Sequence, residues 1–472
     1  MRSKCRNQPL PALFLIRYSL FMFLLLFGIF VLVRSSNAAS WRDVWSPQQQ
    51  LKYIMPQYEH DMVQAYPASN DNFRIWVQPE YFNGPISRVR LRLQATPRGD
   101  ITYAGSSICE KAGSGNPWNC TTDPVKITFS GHDGITVPAN QELFSDEIAG
   151  FTLEASKNYL INYYVTGHAV YFWHHGASAS DNLTRYLWWI HEQGNQTMTK
   201  ILPSMYVDDG WLTKIYGVEA IQGYTDPQTI RAASVTQDDV QTALNKAADG
   251  DTVEVPVGTA TWPSTVYMSR GNTLKGQGAN TVITPLTLAV NMTSNHPGIR
   301  LSNLTFTGGP SDGRIVSVYS WNPAFRIDHN QFINQNYAPV EISAQGFLWR
   351  PFGVVDANLF QGHSGYVRVF SDDYPEWDRP DNFGSAELVY IENNQYVGDG
   401  NSVVTDGDYG GRFVFRYNDT TNSGVHAHAM GQGTSPAPTG GTAIRQTEIY
   451  NNDFVADNFY RWGGFVYIGG GA

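Results

Sequence analysis

Residues 237–278 constrain the fold most. A short amphipathic segment carrying Val240, Leu244, Ala247 and Ala248 runs into Gly250 and Asp251, and a β-rich run over 253–257 follows. A Pro-Val-Gly-Thr turn at 256–259, another strand and Gly276 and Gly278 close the stretch. Downstream, a motif of apolar strand, turn Asn and aromatic recurs: IDHNQF at 327–332, VDANLF at 355–360, IENNQY at 391–396, FRYNDT at 415–420 and IYNNDF at 449–454. LSNLTF at 301–306 is a weaker first copy. The turn asparagines fall at Asn330, Asn358, Asn394, Asn418 and Asn452, in steps of 24 to 36 residues. A solenoid coil of roughly 20–29 residues with loop insertions gives that spacing. Each such coil buries its apolar face only by stacking on the next. Asn accepts left-handed backbone at a tight bend, and its amide can bond to the next Asn in the stack. A capping helix followed by short strands and regular turns predicts a right-handed parallel β-helix over 237–472, whose groove suits a polysaccharide.

Residues 40–223 read differently. At 88–93, Val89, Leu91 and Leu93 share one β face, and Arg88, Arg90 and Arg92 the other. Further strands are expected at 125–129 and 159–165, with the turn SGHDG at 130–134 between them. Many short strands and almost no helix predict a β-sandwich. Residues 224–236, with Asp226-Pro227, read as a linker. The fold class expected is therefore all-β: an N-terminal β-sandwich, then a right-handed parallel β-helix. The chain stops at Ala472 as another coil begins, so the reading includes a C-terminus that is incomplete or covered by other chains.

Two resemblances bear on this. WDRP at 377–380, LVYIENN at 388–394, DGDYGGRFVFRYN at 406–418 and TEIYNN at 447–452 make the second half resemble right-handed parallel β-helix repeat proteins of the pectate-lyase-like superfamily. The resemblance implies the fold and a glycan partner. It does not imply one reaction, because the superfamily holds lyases, hydrolases, epimerases, depolymerases and adhesins. The Arg-x-Pro-x-x-Arg pattern of pectate lyases and the Gly-His-Gly of polygalacturonases are absent. In the first half, 87–95 and 125–148 resemble the β-sandwich module found beside SGNH-type esterases. No Gly-Asp-Ser nucleophile motif occurs, so only a sandwich, as a binding module, is carried over.

The N-terminus carries an address. Arg2, Lys4 and Arg6 precede an uncharged apolar run of about 16 residues, 18–33, the length of a signal core rather than a full span. Ser36-Asn37-Ala38 offers a cleavage site, and residues 1–38 are read as a signal peptide or membrane anchor. The expected location is secreted, periplasmic or cell-surface, with membrane contact only through an uncleaved N-terminal segment. Cys109 and Cys120 fit that address as a disulfide across a loop tip. The net charge of −10, with no basic stripe, argues against nucleic acid.

Chemistry is sought in coil insertions. The longest, 368–387, carries Asp372, Asp373, Glu376, Asp378, Arg379 and Asp381 with Tyr374 and Trp377. Paired acids can serve as the acid and base of a glycosidase, and Tyr374 and Trp377 can stack on sugars. A solvated acidic loop is the plain alternative. Asp406 and Asp408 can offer oxygen ligands to Ca²⁺, or can stabilise a turn. Arg412 and Arg416 share a strand face. With Arg368, Arg379 and Arg445 they can line a cationic stripe for an acidic polymer, or pair with neighbouring acids. His426 and His428 alternate on one strand and can act as base or contact substrate. His174 and His175 form a weaker pair in the first region.

The candidate catalytic set is thus Arg379, His426, Asp373 and Arg412. The substrate-binding set is Trp377, Tyr374, Arg368, Arg416 and His428, and the metal set is Asp406 and Asp408, with calcium the one cofactor this pattern can hold. The functional expectation is a polysaccharide-binding and polysaccharide-degrading protein, a lyase or glycoside hydrolase. Its rival is a non-catalytic surface adhesin or structural solenoid that binds a cell-surface glycan or associates with itself or other chains.

Overall fold

A computed structural model of the chain describes residues 39–47, 70–95, 99–166, 174–176, 187–190, 194–202, 214–216, 218–293, 297–310, 313–319, 324–335, 338–343, 351–362, 367–371, 380, 382–408, 410–428, 444–457 and 465–469. The export segment and the insertion residues 372–379 and 381 lie outside these. None of the described helices is long and apolar enough to cross a membrane.

The first region is a sandwich of two antiparallel sheets. One runs in the order Ser40–Trp45, Ala220–Thr225, Val89–Gln94, Glu142–Phe144. The other runs Leu187–Ile190, Asp71–Val77, Tyr159–Thr166, Ile101–Glu110, Val125–Ile127, with Ile135–Val137 also on Ile101–Glu110. Period-2 alternation decides which face is buried: Val89, Leu91 and Leu93 enter the shared core with Ile75, Ile108 and Ile161. Cys109 and Cys120 are bonded. The bridge is buried with Trp118, Leu160 and Leu202, so it closes the base of the loop rather than its tip.

The second region is the expected parallel β-helix. Its three faces are three parallel ladders. The first ladder runs from Thr229–Arg231 and Thr252–Glu254 through Ala324–Asp328, Phe352–Asp356 and Val389–Glu392 to Arg412–Arg416 and Gln446–Tyr450. The second includes Thr305–Thr307, Gln331–Gln335 and Leu359–Gly362. The third includes Val290–Met292, Val316–Tyr319, Val340–Ser343 and Val367–Phe370. Gln395–Asp408 and Asp419–His428 are long enough to serve the second ladder with their first residues and the third with their last. Strand Thr229–Arg231 falls inside the stretch expected to be a linker. The sandwich thus passes directly into the β-helix, because residue 225 ends one sheet and residue 229 already pairs in the other.

The helix Gln237–Lys246 caps the first coil as its pattern predicts, burying Val240, Ala243 and Leu244. Behind it, inward residues repeat by register: Val253, Leu274, Leu301, Ile327, Val355, Ile391 and Phe415 on the first ladder, and Val266, Val290, Val316, Val340 and Val367 on the third. On the second, Phe306, Phe332, Phe360 and Tyr396 stack with ring centroids 5.4, 4.9 and 4.9 Å apart.

The turn asparagines form a ladder. Asn358 Oδ1 accepts from the backbone N–H of Asn330 at 2.9 Å and from its Nδ2 at 3.1 Å. The same pair of bonds links Asn358 to Asn394, Asn394 to Asn418 and Asn418 to Asn452. In the weaker first copy Leu304 takes the Asn position, and its N–H still reaches Asn330 Oδ1. The left-handed residue is not the ladder Asn, as expected, but the one before it: Asn303, His329, Ala357, Asn393, Tyr417 and Asn451 have φ between 53° and 57°. The ladder Asn must keep its side chain pointing inward along the stack, so the preceding residue takes the bend.

The two regions are tied at one buried joint. Arg42, on the first sandwich strand, donates to Asp251 Oδ1 at 2.5 Å and to the carbonyls of Asp226 and Asp249 at 2.5 and 2.6 Å. Arg270 is also buried there and donates to the Ala247 carbonyl; desolvation lowers its pKa to about 10.

Candidate functional site

The third ladder carries a polar row between two inward columns. In register, Asn291 opposes Ser317, Ser317 opposes Glu341, Glu341 opposes Arg368, and Arg368 opposes Asp406. Thr405 opposes Val425, which sets Asp406 beside His426, and His426 opposes Tyr467. Alternation dictates this row: in Val340–Ser343 and Val367–Phe370 the flanking residues Val340, Ile342, Val367 and Val369 fill the core, so Glu341 and Arg368 point outward.

The central groups touch. His426 Nδ1 lies 3.5 Å from Asp406 Oδ1. The Tyr467 ring centroid lies 5.3 Å from the imidazole, tilted by 40°. Glu341 is paired with Arg314 at 3.3 Å, and the Arg368 guanidinium lies 4.4 Å from the centre of the Phe370 ring. Asp406 and His426 are only 6% and 8% exposed although they stand on an outer face, so their interaction is little screened. Two features hold the strand in place. Thr405 Oγ1 donates to the Val367 carbonyl at 2.9 Å, which pins the register of Asp406 against Arg368. Gly407 fills the inward position that Val369 holds one coil earlier; a Cβ there would lie 2.3 Å from Ile444 Cδ1.

Of the residues singled out from sequence, the fold brings Arg368, Asp406 and His426 into one row. It does not bring in Arg412 or Arg416. Both stand on the first ladder, a different face of the coil. Arg412 is buried and donates to the Pro380 carbonyl and to Asn382 Oδ1, so it anchors the end of the long insertion. Arg416 donates to Glu392 Oε2 at 2.6 Å and to the Tyr450 hydroxyl. The single cationic stripe through Arg368, Arg412, Arg416 and Arg445 is therefore divided between faces, because a solenoid coil turns its strands away from one another. Asp373, Tyr374, Trp377 and Arg379 lie outside the described residues, as do the side chains of Asp408, His428, His174 and His175. Glu341, Arg314 and Tyr467 were not anticipated. Only the register between coils reveals them, and insertions of unequal length hide that register in the sequence.

Calcium needs 6–8 oxygen ligands. Beside Asp406 stand a nitrogen ligand, His426, and a cation, Arg368, and among the described residues no group of three or more His, Cys, Asp or Glu is placed to hold a metal ion.

No known protein family and no curated relative matches the sequence. Among solved structures, the chain is similar to the catalytic unit of a thermostable GH87 alpha-1,3-glucanase from Streptomyces thermodiastaticus, at 12% identity over 86% of this chain and 77% of that one, with a TM-score of 0.32. It is also similar to the Agl-KA catalytic domain, at 10% identity over 91% of this chain and 97% of that one, with a TM-score of 0.18.

Proposed function

We propose that the protein is a polysaccharide-degrading glycoside hydrolase working outside the cytoplasm, with its active centre on the third-ladder row. The observation that carries this reading is the buried Asp406–His426 contact on an outer face, in line with a second carboxylate, Glu341. Two strand spacings separate the backbones of Glu341 and Asp406, roughly 9–10 Å. That backbone separation lies at the upper edge of the about 6.5–9.5 Å between the carboxyls of inverting glycosidases, a gap that leaves room for a water beside the sugar. In this reading Glu341, paired as a carboxylate with Arg314, takes the proton of the attacking water, and the buried Asp406, oriented by His426, protonates the leaving oxygen. Arg368 between them holds a sugar hydroxyl or carboxylate. The Cys109–Cys120 bridge supports an oxidising compartment.

A second reading, a lyase, is favoured by one observation: Arg368 stands next to Asp406 and His426 in the row. An Arg that neutralises a uronate, next to a base, is the arrangement that abstracts a proton α to a carboxylate. The test incubates the purified protein with neutral and acidic polysaccharides. New reducing ends and the anomeric configuration of the product are read beside unsaturated-uronate absorbance. The hydrolase reading expects inverted reducing ends, lost in Asp406→Asn and Glu341→Gln. Unsaturated products lost in Arg368→Ala would replace it with the lyase, and no product from any polymer would remove both.

A further inference from the structure

A second surface, on the first ladder and away from the row above, has a composition that stability does not explain. Tyr417 sits at the left-handed corner before the ladder Asn418, with φ 56°. Three of the six equivalent corners carry Asn, the residue best suited to this backbone. A bulky aromatic there costs free energy. The ring is not repaid by burial, because Tyr417 is 49% exposed. Its described ring contacts are an edge-on approach to Tyr450, 6.3 Å between centroids at 83°, and the Arg416 guanidinium at 5.6 Å. Tyr450 is itself 37% exposed.

Around these rings the polar groups are fixed. Arg416 lies 4.5 Å from the centre of the Tyr390 ring, donates to the Tyr450 hydroxyl at 3.1 Å and pairs with Glu392. Tyr390 donates to the Ser385 carbonyl at 2.7 Å. Exposed rings at right angles, beside a guanidinium and a carboxylate held in place, match the two sides of a sugar. The C–H faces of a pyranose stack on the rings, and its hydroxyls meet prepositioned donors and acceptors. Charge then selects the class. Arg416 is neutralised by Glu392, and Glu448 stands on the adjoining strand, so the surface carries no excess positive charge for a uronate or sulfate.

We propose that Tyr417 and Tyr450, with Arg416 and Glu392, form a binding surface for a neutral glycan, distinct from the third-ladder row. It holds a chain rather than cutting it, and it stands whether or not that row is catalytic.

The experiment measures depletion of the full-length protein from solution by insoluble neutral α- and β-glucans and by immobilised polygalacturonate. Thermal unfolding is recorded for the same samples. The wild type is expected to bind a neutral glucan, and any binding of the polyuronate by the other row to be untouched by changes at Tyr417. Tyr417→Asn is expected to weaken that binding about tenfold while keeping or raising the unfolding temperature, since Asn suits φ 56° better. Tyr450→Ala is expected to weaken it as well, and Asp406→Asn to leave it unchanged. Unaltered glucan binding in Tyr417→Asn, a lowered unfolding temperature in that variant, polygalacturonate binding that is weakened by Tyr417→Asn, or no wild-type binding to either neutral glucan would each overturn the proposal. Binding that persists in a protein without turnover would sink the hydrolase reading and leave this one intact.

Discussion

One oxygen of Asn358 holds two atoms of Asn330: its Oδ1 accepts from the backbone N–H and from the side-chain amide, at 2.9 and 3.1 Å. Its own Nδ2 donates back to the Ile327 and Asp356 carbonyls and on to Asn394. Every polar atom of the buried amide is thereby satisfied.

Replacing Asn358 with Ala leaves the Asn330 N–H and the Ile327 carbonyl without their Asn358 partner and the Asn330 amide with the Leu301 carbonyl alone. The expected loss is at least about 2 kcal/mol in denaturant unfolding. Asn358→Asp restores the acceptor but not the donor and should fall between wild type and Ala.

Tyr396 continues the phenylalanine stack, but its hydroxyl is buried without a hydrogen-bond partner among the described residues. Burial also pushes its pKa well above the ordinary tyrosine value. Tyr396→Phe is expected to raise stability by up to about 1 kcal/mol, read as a higher midpoint in urea. A lower midpoint would mean the hydroxyl is satisfied.

Gly407 lies where a methyl group would meet Ile444 and Phe413. Gly407→Ala is expected to destabilise by about 1–3 kcal/mol by overpacking. It should also reduce turnover by more than the unfolded fraction explains, since the preceding residue is Asp406. Equal losses of activity and folded protein would separate Gly407 from the site.

Asp328 is fully buried, and Arg300 donates to both its oxygens at 2.6 Å. Burial alone would raise its pKa, but the bonds from Arg300 and His329 outweigh that and lower it. A lowered folded-state pKa gives stability that is fully present above the unfolded value, about 3.9, and lost as pH falls through the folded one. Unfolding midpoints should therefore drop steeply below about pH 4. In Asp328→Asn the drop should be shallower, from a lower starting stability; an unchanged acid limb would assign it to other carboxylates.

The solenoid was legible because its period is written in residue types with few substitutes. The ladder asparagines, the phenylalanine stack and the capping helix all fell where their patterns placed them. The bend was assigned one residue too late, since the Asn preference of the corner and of the ladder overlap at Asn393 and Asn451, each followed by a ladder Asn. The row was legible only in part. His426 stood out on an extended run, Arg368 as the edge of the long insertion and Asp406 as a turn acid, although Asp406 lies within the strand Gln395–Asp408. Glu341 carries no repeat signature, and the insertion between 368 and 387 breaks the count that would align it with Asp406. Arg412 misled because period 2 fixes a strand face, not which of three ladders the strand belongs to.

The joint at Arg42 also sets an order in time. Ser40–Trp45 is the first described strand, yet its partner Ala220–Thr225 lies some 180 residues later, and Arg42 completes its bonds only with Asp249 and Asp251. On a ribosome, the leading strand must therefore wait, unpaired, until the rest of the sandwich and the capping helix have emerged. The sandwich closes at nearly the moment the first coil can form beneath its cap, so the stacking of later coils begins on a base already anchored at both ends.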